Sequence, residues 1–337
     1  MTHPTRPSRL SRRTLLAGLA AAPVLAACGA PSGGSGSSSA SSAAAGFRYT
    51  DARGKVIDVT PVPANVVAQS SAAAALWDAG LKVKGAYGEL KTGADGKLDY
   101  QAGNLQLSEL TVVGSTYGEF NTEKYAAMGP QLLVDLSFDD KALWYVPADS
   151  ASKIEAVAPT LGIKMLNKNL LDIIGEFMAL ADQLGADSAA STAEAKTAFE
   201  ASVATITDAV TAQPDLTVLA CSRSADKAYI ANANQHADLA YLASLGVKFV
   251  DHKGKDADYF TEISYEELDK FAGDLVLSDS RNYADQPGSD VAATWEALPA
   301  VKAGQVFAWK PAAPFSYAAN APIFADLGSA LSAAKPL

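Results

Sequence analysis

The chain has 337 residues, 49% of them apolar, which is enough for two lobes of ordinary domain size. Its formal charge is −10, and −14 without the four arginines of residues 1–27, which disfavours nucleic acid and anionic headgroups as partners of the bulk surface. Beyond Cys28 the sequence has one cysteine, Cys221, so an internal disulfide is excluded and stability must come from a packed core.

The chain opens with a basic, acid-free stretch holding Arg6, Arg9, Arg12 and Arg13, then an apolar run over residues 15–27. That run is too short to cross a bilayer, which takes about 20 apolar residues, so residues 1–27 read as an export signal. Ser11-Arg12-Arg13-Thr14-Leu15-Leu16 resembles a twin-arginine signal. Any signal wants a positive leading end, so Tat and Sec export both stay open. Leu25-Ala26-Ala27-Cys28 resembles a lipobox, whose cleavage exposes Cys28 for lipid attachment; the plain alternative is an ordinary thiol at a signal end. Residues 28–46 then comprise the lipidated cysteine and a tether of mostly Gly, Ser, Ala and Pro, too poor in apolar surface to fold. As a flexible coil this tether holds the folded lobes about 25 Å from the membrane. The expected location is the extracytoplasmic face of the cytoplasmic membrane, anchored through Cys28.

Residues 47–60 alternate around Asp51-Ala52-Arg53-Gly54 as a short hairpin, closed by Pro61 and Pro63. Strands are expected at 65–69, 83–87, 111–114 and 132–136, with helices through Trp77 and from Asn121. Residues 169–184 carry an apolar helical period, and an Ala-rich helical stretch continues to about 211, where Pro214 stops it. Strands come next at 217–221, 229–230, 248–250, 275–278 and 305–309, with helices through Leu245 and from Ser264. This alternation predicts an α/β chain. The expected plan is two Rossmann-like lobes with central, mostly parallel sheets, an N-terminal lobe at 47–168 and a C-terminal lobe at 214–337, joined by a long α-helical connector at 169–213. One internal correspondence supports it: residues 123–134 lie over residues 266–277 without a gap, Tyr125 on Leu268, Met128 on Phe271, Leu132-Leu133-Val134 on Leu275-Val276-Leu277. Both segments begin with a glutamate, Glu123 and Glu266.

The order of these pieces resembles the helical-backbone (class III) solute-binding lipoproteins of ABC importers for ferric siderophores, haem and vitamin B12. The resemblance rests on the hairpin closed by Pro63-Ala64-Asn65-Val66-Val67, the segment 121–134, the connector, Ile263-Ser264-Tyr265-Glu266-Glu267-Leu268, and the run 295–306 beginning Trp295-Glu296-Ala297-Leu298-Pro299. It implies an ABC permease with its ATPase as partner, a monomer, and docking of Glu123 and Glu266 on permease arginines. The alternative for these glutamates is a carboxylate complementing a helix dipole, worth about 0.3–1 kcal/mol; Ser264 and Glu267 can also form a capping box.

Ligands of open α/β sheets sit beyond the carboxyl ends of strands. The first lobe offers Tyr87, Tyr117 and Trp144 there, and the second offers Arg223, Arg281, Tyr283, Trp309 and Phe315. After the signal there are four arginines against 19 lysines, so arginine is used sparingly. Arg223 and Arg281 follow strands, where a planar guanidinium can grip chelate oxygens or pair with Asp226 and Asp279. Trp77 and Trp295 read as core, and Cys221 as an inert buried thiol.

With only His236 and His252 beyond the signal, free Zn or Mn is a poor cargo. No nucleophile elbow, His-Glu-x-x-His or Gly-rich phosphate loop appears, so the reading is a non-enzyme without a permanent cofactor. The expected ligand is an Fe(III)-siderophore, with a neutral or cationic hydroxamate favoured by the acidic surface. The alternatives are haem, with Tyr87, Tyr117 or His236 as axial ligand, cobalamin, or a sensor lipoprotein without transport.

Overall fold

The computed structural model describes residues 45–93, 96–281 and 292–337. The export signal, Cys28, nearly all of the tether and Tyr283 lie outside the described residues.

The hairpin forms as expected, from antiparallel strands β1 (Phe47–Thr50) and β2 (Val56–Val59). Its turn is an anchor as well: Arg53 donates to Asp51 at 2.7 Å, to the Thr160 carbonyl at 2.7 Å and to Glu155 at 3.1 Å. These bonds fasten the hairpin to the edge of the first sheet.

That sheet is wholly parallel. It comprises β3 (Val66–Gln69), β4 (Gly85–Tyr87), β5 (Thr111–Val112), β6 (Leu132–Ser137) and β7 (Thr160–Lys164), in the order β5-β4-β3-β6-β7. Its helices are α1 (Ser70–Asp78), α2 (Thr122–Ala127) and α3 (Ala151–Val157). Strand β6 is buried along its whole length, flanked by two parallel neighbours, and its largely apolar run is interrupted by Asp135. The α3–β7 unit carries no expectation from the sequence.

The connector is two helices, not one rod. α4 (Leu170–Gln183) begins with a capping box between Asn169 and Asp172 and buries Leu170, Ile173, Ile174, Phe177, Leu180 and Ala181. Gly185, at φ +94°, breaks it from α5 (Ser188–Ala212), which Asp187 caps. α4 packs against both lobes through α1 and α6 (Ala237–Ser244), while α5 runs along α9 (Tyr317–Ala333). The C-terminal helix therefore doubles the joint.

The second sheet is mixed. It contains β8 (Thr217–Arg223), β9 (Lys227–Ala231), β10 (Lys248–Phe249), β11 (Phe260–Ser264), β12 (Leu275–Asp279) and, after the short helices α7 (Ala292–Glu296) and α8 (Pro299–Lys302), β13 (Val306–Trp309). The path is β11-β9-β8-β12-β13 with β10 beside β8; β9 is antiparallel to both of its neighbours. The expected helix after Ser264 is a 3-10 helix, Tyr265–Phe271, and the Ser264 side chain makes no capping bond to it. Glu267 keeps the other half of the box, accepting from the Ser264 amide, and pairs with Lys270 at 2.9 Å.

Each sheet has its own apolar cluster on one face, around Val67, Tyr125 and Leu133 in the first lobe and Leu219, Leu268 and Val276 in the second. On the other face a larger cluster runs from lobe to lobe through α4, α5 and α9, including Phe177, Phe199 and Phe324. The lobes are thus fused along one side, leaving their strand ends to face each other on the other.

Candidate ligand-binding cavity

Between the two sets of strand ends lies a cavity of about 460 Å³, within the size range of small-molecule sites. Its apolar walls come from Leu136, Phe138, Trp144 and Leu166 of the first lobe and Ala257, Phe260, Pro311, Ala312 and Phe315 of the second. Its polar groups are Gln69, Ser71, Gln101, Tyr145, Tyr259 and Arg281. The rings of Phe138 and Tyr259 meet edge to face across the lobes at 5.9 Å.

Most of the polar groups are held by bonds of their own. Gln69 ends β3, and its Oε1 accepts from the Ser71 and Ala72 amides at 3.0 and 3.1 Å and from the Ser71 hydroxyl at 2.9 Å. It caps α1 where Ser, Thr, Asp or Asn would be usual. Gly88, at φ +114°, lets the chain pass Ser70, whose Oγ would lie 2.8 Å from any Cβ there. The Gln101 Oε1 accepts from the Tyr145 hydroxyl at 3.2 Å, so the long stretch after β4 supplies a fixed wall residue. Behind Tyr145 stands Asp135, fully buried; it accepts from the Tyr145 amide at 3.1 Å and the Tyr87 hydroxyl at 2.8 Å. Burial pushes the Asp135 carboxyl up to about 7.

Arg281 is the only formally charged side chain on the wall among the described residues. Asp279, itself buried, holds it with two bonds at 2.9 and 2.7 Å, so the pair brings no net charge to the cavity.

Arg281, Trp144 and Phe315 of the candidates come together on this wall. Tyr117 is exposed at the rim, its ring against Tyr145 at 5.2 Å and Trp144 at 6.4 Å. Three candidates lie elsewhere. Tyr87 is fully buried in the first lobe's own cluster and serves Asp135. Arg223 is buried under the Trp295 ring, 3.6 Å from its centroid, because the β8–β9 hairpin closes over that strand end. Trp309 turns into the core, its Nε1 donating to Asp238 at 2.6 Å. His236 is also off the wall, buried between Tyr259 and Trp309; burial holds its imidazole down to about 3, so it is neutral.

Sequence reasoning missed Gln69, Gln101, Tyr145 and Tyr259. Tyr259 precedes an edge strand rather than following a central one, so a rule about carboxyl ends passes over it. The Tyr259-Phe260 pair after an Asp/Lys-rich loop was the available signal.

Glu123, in the first turn of α2, and Glu266, in the 3-10 helix, are both exposed, each leading into a buried strand, β6 and β12.

The periplasmic binding protein family model matches residues 66–313. No curated protein matches the chain. Among solved structures, DesE, a ferric-siderophore receptor protein from Streptomyces coelicolor, superposes with a TM-score of 0.79 at 38% identity, covering 86% of this chain and 99% of that one. SirA of Staphylococcus aureus, complexed with staphyloferrin B, gives 0.58 at 18% identity over 86% and 99%. The siderophore periplasmic binding protein from the fuscachelin gene cluster of Thermobifida fusca gives 0.55 at 21% over 80% and 96%. The last two likenesses concern the fold alone.

Proposed function

The chain belongs to the periplasmic binding protein family, and on that premise we propose that it is an extracytoplasmic lipoprotein that captures a ferric siderophore of hydroxamate type between its lobes and delivers it to an ABC permease. The observation that carries the ligand class is the Arg281–Asp279 pair. A cavity with aromatic walls, amide and phenol groups and a neutralised guanidinium suits a chelate whose oxygens want hydrogen bonds and whose net charge is zero or positive. A multiply anionic catecholate would meet no uncompensated cation on this wall among the described residues. The 38% identity to a ferric-siderophore receptor over most of both chains supports the iron chelate. The haem reading lacks such support, since Tyr87, Tyr117 and His236 are not among the wall residues.

Capture needs no permanent cofactor; iron arrives as cargo. Half-exposed Arg281 bonds outer chelate oxygens while Trp144, Phe138 and Phe315 enclose the apolar arms. Delivery runs through Glu123 and Glu266 to permease arginines, with Cys28 keeping the protein at the membrane. No helix among the described residues is long and apolar enough to cross a membrane, so passage of the cargo falls to the permease.

Tryptophan quenching on titration with ferric deferoxamine, a ferric tris-catecholate, haem and cobalamin tests the ligand class. Saturable quenching by the hydroxamate at the lowest concentration is expected; preference for the catecholate or haem refutes it. Reversing Glu123 and Glu266 together to Lys should leave that affinity intact and abolish uptake by cells; undiminished uptake removes the docking role. Intact mass of membrane-fraction protein should show a diacylglyceryl group on Cys28.

A further inference from the structure

We propose that Asp135, partnered by Tyr87, is a positioning residue for ligand binding: from behind the wall it sets the loop that presents Trp144 and Tyr145 to the cavity. The inference rests on the ligand-binding reading above. Asp135 lies on β6 and is wholly buried, and no cation among the described residues pairs with it. An isolated carboxylate is costly inside a core unless its oxygens are fully used. Here they are used on the wall. Oδ1 accepts from the Leu136 amide at 2.7 Å, Oδ2 from the Tyr145 amide at 3.1 Å and the Tyr87 hydroxyl at 2.8 Å, and the Val146 amide adds to these. The neighbouring Trp144 amide donates to the Leu136 carbonyl at 2.9 Å, so strand and loop are laced together at this one place. Leu136, Trp144 and Tyr145 all face the cavity.

The titratable groups around Asp135 are tyrosines: Tyr87 from β4, Tyr145 from the loop, and Tyr125 of α2 beyond Tyr87. Burial raises Asp135 to about 7, first among its causes, against the bonds that lower it. An ionised Asp135 accepts all of its donors; a protonated one gives up an acceptor position and loosens the loop. Ligand affinity is therefore expected to strengthen as pH rises through about 7.

The test uses the full chain and the variants Asp135→Asn and Tyr87→Phe. In ligand-free protein, hydrogen exchange at the Tyr145 and Val146 amides should quicken roughly tenfold in Asp135→Asn while β8 and β12 keep their protection. The dissociation constant for ferric deferoxamine should rise roughly tenfold and lose its dependence on pH between 6 and 8. Tyr87→Phe, which leaves the carboxylate and its amide donors in place, should weaken binding by about threefold and retain the pH dependence. Unchanged exchange at these two amides, or Asp135→Asn affinity within twofold of the parent at every pH, overturns the proposal. If the parent bound no ferric hydroxamate, the ligand class would fall, and the exchange measurement would still decide whether Asp135 holds the wall.

Discussion

The two lobes present similar strand ends to the cavity and hold their walls by opposite means. In the first, a wholly parallel sheet places neutral polar groups and one carboxyl group with uncharged partners, Asp135, in a network of amide and phenol bonds. In the second, a mixed sheet uses an ion pair, Arg281–Asp279, and tilted and edge-to-face rings around neutral His236. Position beyond a strand end thus does not fix a residue's chemistry; what closes over that end does.

The comparison is broken most directly at Arg281. Arg281→Ala leaves the buried Asp279 carboxylate without its cation, and a loss of about 2 kcal/mol in stability is expected, below the range for fully buried pairs because the guanidinium is half exposed. Ligand affinity should fall by about 100-fold, measured by titration. Arg223→Ala separates the two second-lobe arginines: stability should drop by about 2 kcal/mol through lost stacking on Trp295, with affinity within twofold of the parent.

Stability against pH sharpens the contrast between the lobes. Asp135 is raised to about 7, so its contribution is fully present below about 4 and is lost as pH rises through 7. His236 is lowered to about 3, so its effect has the reverse sign: stability is lost as pH falls from about 6.5 toward 3. Asp238, raised to about 6 by burial, acts in the direction of Asp135 from within the second lobe. Denaturant titrations from pH 3.5 to 8 should therefore show Asp135→Asn removing a decline toward neutral pH, and His236→Gln removing a decline toward acid. The smallest effect on stability is expected at half-exposed Trp144, where Trp144→Ala should change it by less than about 0.5 kcal/mol while changing affinity by a few-fold.

Much of the architecture was legible because it is written in local period. The runs that became β3, β6, β8 and β12 are apolar and bounded, α4 repeats its apolar residues at helical spacing, and Asn169 caps where a cap was needed. The site was legible only in part. Arg281, Trp144 and Phe315 were within reach because each lies in the loop that leaves a strand end, of β12, β6 and β13 respectively. Gln101 was not, since its place depends on how a stretch with little regular structure folds back on Tyr145. Tyr87 and Trp309 satisfied the same positional rule and still turned inward, each donating to a carboxylate, buried Asp135 or part-buried Asp238.

Alone, the amino-acid order determined the class of fold, the two lobes with a helical joint, the scarcity of arginine and the acidic surface, because each depends on spacing or counting along the chain. Tertiary structure decided which strand ends stay open, that α9 reinforces α5, that Arg223 is roofed by Trp295, and that Arg281 reaches the cavity already neutralised. Those outcomes depend on desolvation and pairing between groups far apart in sequence, and no local pattern records them.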